Sequence, residues 1–276
     1  MKKYSSILLI TLITLLGCNQ KRETKQVEEI KEEPRAFNMI YVEGGEFTMG
    51  SDEVEDNPPH QVILSDFYMS DIEVTQSLYE EIMGVNPVEF KDIGINKPVY
   101  YVSWYSAIEF CNKLSIRDNY TPCYEINGEE VICDFTKNGY RLPTEAEWEY
   151  TARGGKLSQG YKYSGSDNLD EVAFYVGNRE GSIIPEVALK KSNELGVFDM
   201  VGSVEEWCWN SYSYIYMKDS NSNSQFSNED NKKIVRGESY AHIRISDKVL
   251  TKRIKYFPKD EMNPVGFRIC RSKVDE

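Results

Sequence analysis

From residue 155 to the C-terminus the chain is rich in Gly, Asn, Ser and aromatic residues and carries few long apolar runs at helical or strand spacing. Such a stretch builds neither a helical bundle nor a large regular sheet, so its loops must be held by specific side-chain interactions. Nineteen tyrosines and four tryptophans supply aromatic surface for a core and grooves of that kind. With 276 residues, 40% of them hydrophobic, there is enough apolar surface for one large core or two small ones. No low-complexity linker and no repeat of useful length divides residues 36–276. One domain is expected.

The first half is more regular. Residues 39–42 and 47–50, separated by Gly44 and Gly45, read as a strand, a turn and a second short strand, and residues 61–64 and 67–69 alternate in the same way. Thr75 caps a short helix carrying Leu78, Tyr79, Ile82 and Met83, and Gly84 stops it. Ser103 caps a second helix in which Trp104, Ala107, Ile108, Cys111 and Leu114 share one face, so Cys111 points into the core. A third opens at Thr144, where Glu147 completes a capping box and Gly154-Gly155 ends the run. Between the last two, Asn127-Gly128 joins residues 123–126 to 129–133 as a hairpin. The class is α+β with short elements.

Lys2, Lys3 and the mainly apolar residues 7–16 form a segment too short to span a bilayer, and it reads as an export signal. Leu15-Leu16-Gly17-Cys18 resembles the bacterial lipobox, which implies removal of residues 1–17 and lipidation of Cys18. Residues 18–35, mostly Glu, Lys and Gln, are expected to be a flexible tether. The expected location is the cell envelope, with the lipid in a membrane and the domain facing the periplasm or cell surface.

Acidic residues outnumber basic ones 45 to 32, and a net charge of −13 excludes broad binding to nucleic acid. His60 and His242 are the only histidines, which excludes the two-histidine zinc motif on a helix. The charge is uneven, because residues 236–273 hold ten Lys or Arg against four Asp or Glu.

The run at residues 139–150, Gly-Tyr-Arg-Leu-Pro-Thr-Glu-Ala-Glu-Trp-Glu-Tyr, closely resembles the signature of the formylglycine-generating enzyme family, also called sulfatase-modifying factors. Residues 44–50 resemble its Gly-Gly-x-Phe-x-Met-Gly start, and Glu73-Val74-Thr75 its Glu-Val-Thr. Residues 98–110 resemble its Pro-Val-x-x-Val-Ser-Trp helix start, residues 195–209 its Gly-Asn-Val-x-Glu-Trp block, and residues 266–268 its closing Gly-Phe-Arg. The resemblance implies a single C-type lectin-like domain with little regular secondary structure. Family enzymes oxidise a sulfatase cysteine to formylglycine, using oxygen and a copper ion held by two cysteines.

Those cysteines lie two and seven residues after the aromatic of an Arg-Gly-Gly-Ser-aromatic motif. Here the motif reads Arg236-Gly237-Glu238-Ser239-Tyr240, so the matching positions are His242 and Asp247, and no cysteine lies between Cys208 and Cys270. An imidazole and a carboxylate lack the softness and dithiolate geometry that cuprous ion requires. Copper is therefore not expected, and the oxidase activity should be lost. Glu238 replaces a glycine whose backbone angle glutamate tolerates poorly. Ser239 or Ser246 with His242 and Asp247 makes a hydrolytic set conceivable, but no nucleophile elbow is present and a groove-lining histidine is the better reading. Arg244, Lys248, Lys252, Arg253 and Lys255 are expected to rim the ancestral groove and favour acidic peptides, proteins or anionic glycans; a solvated charged surface is the alternative.

The resemblance also places Asp199, Gly202, Val204 and Glu206 on the family's calcium loop, with hard oxygen donors suited to that ion. Cys111 and Cys270 match family positions that form a disulfide. Cys123 and Cys133 flank the hairpin closely enough to bridge, although strict turn register offsets them by one. Cys208 is left over as a buried thiol. The expected function is a non-catalytic binding or assembly module. The alternatives are a sulfatase-modifying oxidase and a purely structural, calcium-stabilised envelope protein.

Overall fold

Thr75, Ser103 and Thr144 each accept a backbone N–H from the first turn of the helix that follows, and these caps set where α1 (Gln76–Met83), α2 (Trp104–Arg117) and α3 (Glu145–Ala152) begin. Thr144 and Glu147 form the expected reciprocal box. Gly84 ends α1 in the left-handed conformation. The computed structural model describes residues 33–88, 90–178, 184–213, 231–261 and 264–274. The expected signal peptide, Cys18 and most of the tether lie outside the described residues. Glu33–Glu276 forms one compact unit.

The strands are β1 (Met39–Val42), β2 (Gly45–Met49), β3 (His60–Leu64), β4 (Phe67–Ser70), β5 (Tyr124–Asn127), β6 (Glu130–Cys133), β7 (Tyr140–Arg141), β8 (Glu205–Ser211), β9 (Lys233–Arg236), β10 (Ile254–Tyr256), β11 (Val265–Gly266) and β12 (Cys270–Ser272). One sheet has the order β1-β4-β12-β7 and a second β10-β9-β8-β11, while β2 with β3 and β5 with β6 make two-stranded ribbons. The chain is α+β, as expected. All seven residues of β8 are buried, because side chains leave its two faces into different packing layers. Trp207 and Trp209 enter the layer built on α2, where Trp209 stacks on Trp104 at 5.3 Å. Cys208 enters the other, with Trp148, Val249 and Leu250.

Helix α3 is buried all round, carboxylates included. Burial of an ion is tolerable only with a partner in good geometry, and each acid has one. Glu147 meets Arg141 at 2.7 Å, Glu145 and Glu149 share Arg236 at 2.7 Å each, and Glu145 also meets Arg253 at 2.9 Å. The guanidinium charges hold Glu147 and Glu149 below the usual carboxylate range even though burial opposes this. The family signature therefore encodes an internal ionic frame.

The cysteine expectations need correction. The five cysteines of the described residues are all thiols, so neither Cys111 with Cys270 nor Cys123 with Cys133 is bridged. In the hairpin, Cys133 pairs with Tyr124 rather than with Cys123, which lies just before β5, and both cysteines remain thiols. The turn is Gly128-Glu129 rather than Asn127-Gly128, with Gly128 at φ +67°, and the one-residue offset persists in that register. Cys270 instead accepts a hydrogen bond from Arg141 Nη1 at 2.7 Å. Burial pushes the Cys111, Cys208 and Cys270 thiols well above their ordinary range, which leaves them inert. Among the described residues, no helix is long and apolar enough to cross a membrane.

Candidate functional site

The loop after β9 carries the positions that resemblance assigns to copper. Gly237 and Glu238 are both left-handed, at φ +98° and +56°. For glutamate this is a strained conformation, and it persists because the side chain is anchored. Glu238 accepts from the Ser246 backbone N–H at 2.6 Å and pairs with Lys252. Tyr240 N–H donates to the Ser203 carbonyl at 2.7 Å, and the His242 carbonyl accepts from Val176 N–H at 3.1 Å. The loop is thus tied to the segment before β8 and to the segment after α4 (Leu169–Val172).

His242 is half-buried. Its Nδ1 lies 3.1 Å from the Ser239 backbone nitrogen, which donates to it, and 3.2 Å from Ser239 Oγ. Its Nε2 lies 3.7 Å from Glu205 Oε1. Glu205 is buried, and its Oε2 has no hydrogen-bond partner among the described residues. Burial raises the Glu205 pKa, and both Tyr256 and His242 oppose the rise. Asp247 faces outward, to Lys162 at 2.7 Å and the Tyr163 hydroxyl at 3.0 Å. The two positions that would share a metal thus turn to different neighbours.

No hydrolytic set is assembled either. Ser239 is fully buried, the His242 Nδ1 lone pair already accepts a backbone N–H, and Asp247 is engaged elsewhere. A general base must reach the proton it removes with a free lone pair. Glu205 and Tyr256 were missed from sequence. The only signal was the variable position before Glu206 in the Gly-Asn-Val-x-Glu-Trp block.

The expected cationic rim is not a row of free charges. Arg253 is buried against Glu145 and the carbonyls of Asp56 and Ser213, Lys252 meets Glu238, and Lys248 meets Glu53 at 2.6 Å. Lys255 lies 3.7 Å over the Tyr212 ring, and Arg244 is exposed. The acidic body supplies partners that a count of basic residues overlooks.

The calcium loop does bring its two carboxylates into one buried region, joined by Glu73. Arg268 is already there. It binds both oxygens of Glu206 at 2.7 Å, and Trp148 Nε1 donates to Oε2 at 2.7 Å. Asp199 Oδ2 accepts from Ala188 N–H at 2.6 Å, while Glu73 accepts from Ser203 Oγ and Val204 N–H. With both Glu206 oxygens engaged by a guanidinium, the donor set in this arrangement does not fit a divalent ion. Burial lifts Asp199 to about 6, helped by the Glu206 charge, and lifts Glu73 well above the carboxylate range.

A family model, the sulfatase-modifying factor enzyme 1-like domain, matches residues 24–273. The chain belongs to that family. It is 38% identical over 247 residues to a protein named chaperone protein LppX from Paenibacillus barcinonensis, covering 78% of this chain and 83% of the relative. It is 24% identical over 212 residues to the formylglycine-generating enzyme of Mus musculus, covering 61% of this chain and 57% of the enzyme. Among solved structures, Treponema denticola variable protein 1 superposes with a TM-score of 0.73 at 31% identity, covering 86% of this chain and 95% of that one.

Proposed function

We propose that this family member is a lipid-anchored, non-catalytic module that binds other proteins outside the cytoplasm and assists their assembly or folding. The observation that carries the reading is the divergence of His242 and Asp247. Where family enzymes place two thiolates on one copper ion, this chain has an imidazole packed on Ser239 and Glu205 and a carboxylate turned to Lys162. Neither is a soft ligand. The LppX relative supports the second half of the proposal, since its name describes a chaperone and the similarity runs through most of both chains. Membrane attachment through Cys18 follows from the lipobox-like tetrapeptide. The proposal needs no metal, because Arg268 supplies the positive charge at the Asp199–Glu206 loop.

The test is direct. Purified protein incubated with copper, oxygen and a peptide carrying a sulfatase motif should yield no aldehyde by mass spectrometry, and formylglycine in the product would overturn the non-catalytic reading. In parallel, equimolar protein should suppress light scattering from a reduced, unfolding secretory protein. Unchanged scattering would remove the folding role.

A further inference from the structure

Away from His242, Tyr68, the segment at residues 120–121, the turn at 136–138 and strand β12 with the two residues after it line an open pocket of about 760 Å3. In a chain of net charge −13, its wall holds three cations, Lys137, Arg271 and Lys273, and no carboxylate. That imbalance is the first sign of an anion site.

Arg271 is built into position. Its guanidinium stacks over the Tyr120 ring at 3.5 Å, and Nε donates to the Asn138 carbonyl at 2.8 Å. Both terminal nitrogens are left without an acceptor among the described residues. A guanidinium fixed at Nε with its fork open is the geometry that grips an oxyanion through two parallel hydrogen bonds. Lys137 stands at the same wall with its nearest carboxylate, Asp134, 4.0 Å away, at the outer limit of an ion pair. Lys273 is 3.3 Å from Asp66, so it adds charge with less freedom.

The remaining wall narrows the ligand. The cavity has the size of a small-molecule site rather than of a bare ion. Its lining is tyrosine, threonine, serine and asparagine, and Val274 is the one aliphatic side chain. Hydroxyl and amide groups beside tyrosine rings suit a polyhydroxylated ring better than an apolar one. We propose that this cavity binds an acidic sugar, its sulfate or carboxylate held by Arg271 and Lys137. The site is separate from the His242 loop, and it stands or falls independently of the folding role.

Calorimetric titration of the full chain tests it, with a chondroitin sulfate disaccharide as probe. The disaccharide should bind about tenfold more tightly than its uncharged counterpart and than inorganic sulfate, and Arg271→Gln should weaken it about tenfold. Lys137→Ala, a change at a half-buried residue whose folding is checked by circular dichroism, should weaken it at least about threefold. Absence of disaccharide binding would overturn the proposal, as would equal affinity in both variants or equal affinity for inorganic sulfate. Capture of phosphatidylglycerol vesicles without disaccharide binding would overturn it as well, and would assign the cations to a membrane surface.

Discussion

Helix α3 and the loop at residues 237–249 lie on either side of Arg236, are both rich in charge, and use it in opposite ways. On α3 every acid is buried and bound by a guanidinium, so the charges act as a frame. In the loop, apart from Glu238, the charges lie at the surface, with Lys248 paired to Glu53, Asp247 to Lys162, and Arg244 exposed. The residues shared with the family signature are those that hold the fold. The positions that depart from it include His242 and Asp247, which the resemblance assigns to copper. A domain can therefore keep its family architecture while the residues of one loop change, because different side chains carry the frame and the loop.

The largest test of this contrast is Arg236→Met. It leaves Glu145 and Glu149 buried with only Arg253 and Arg153, and should cost about 3–5 kcal/mol in urea denaturation. A loss below about 1 kcal/mol would show that the frame is not structural.

Next comes Asp199, whose folded pKa of about 6 lies above its ordinary value of 3.8. Folding therefore favours its protonated form. The charging cost is absent below about pH 4, grows as pH rises through 6, and is complete above. Asp199→Asn should stabilise the protein by about 1–3 kcal/mol at pH 8 and by nothing measurable at pH 4. In the same melts EDTA should leave the Tm of the parent protein unchanged. A drop that calcium restores would show an ion displacing Arg268 from Glu206. The smallest effect belongs to the loop, where Lys248→Ala should change stability by less than about 1 kcal/mol, since both partners are more than a third exposed. A larger loss would erase the distinction between frame and loop.

Short-range features were the most legible. Thr75, Ser103 and Thr144 cap helices because a hydroxyl needs only the next turn to find its partner. The absence of cysteine between Cys208 and Cys270 is equally plain, since no fold can supply a cysteine that the chain lacks. The hairpin pair misled: neither thiol is bridged, because the register sets Cys133 opposite Tyr124 rather than Cys123. The basic rim misled for a similar reason: Arg253 and Lys252 look free until Glu145, 108 residues away, and Glu238 are brought against them.

By itself the sequence determined the family, the α+β class, the helix starts and the absence of cysteine between Cys208 and Cys270, all of which depend on local spacing or on residue identity. Only the tertiary structure decided which charges are neutralised and which remain open. Arg268 sits on Glu206 and Arg253 on Glu145, whereas the fork of Arg271 faces a cavity. The reason is physical: the state of a charge depends on burial and on partners far along the chain, and only the folded backbone brings those together.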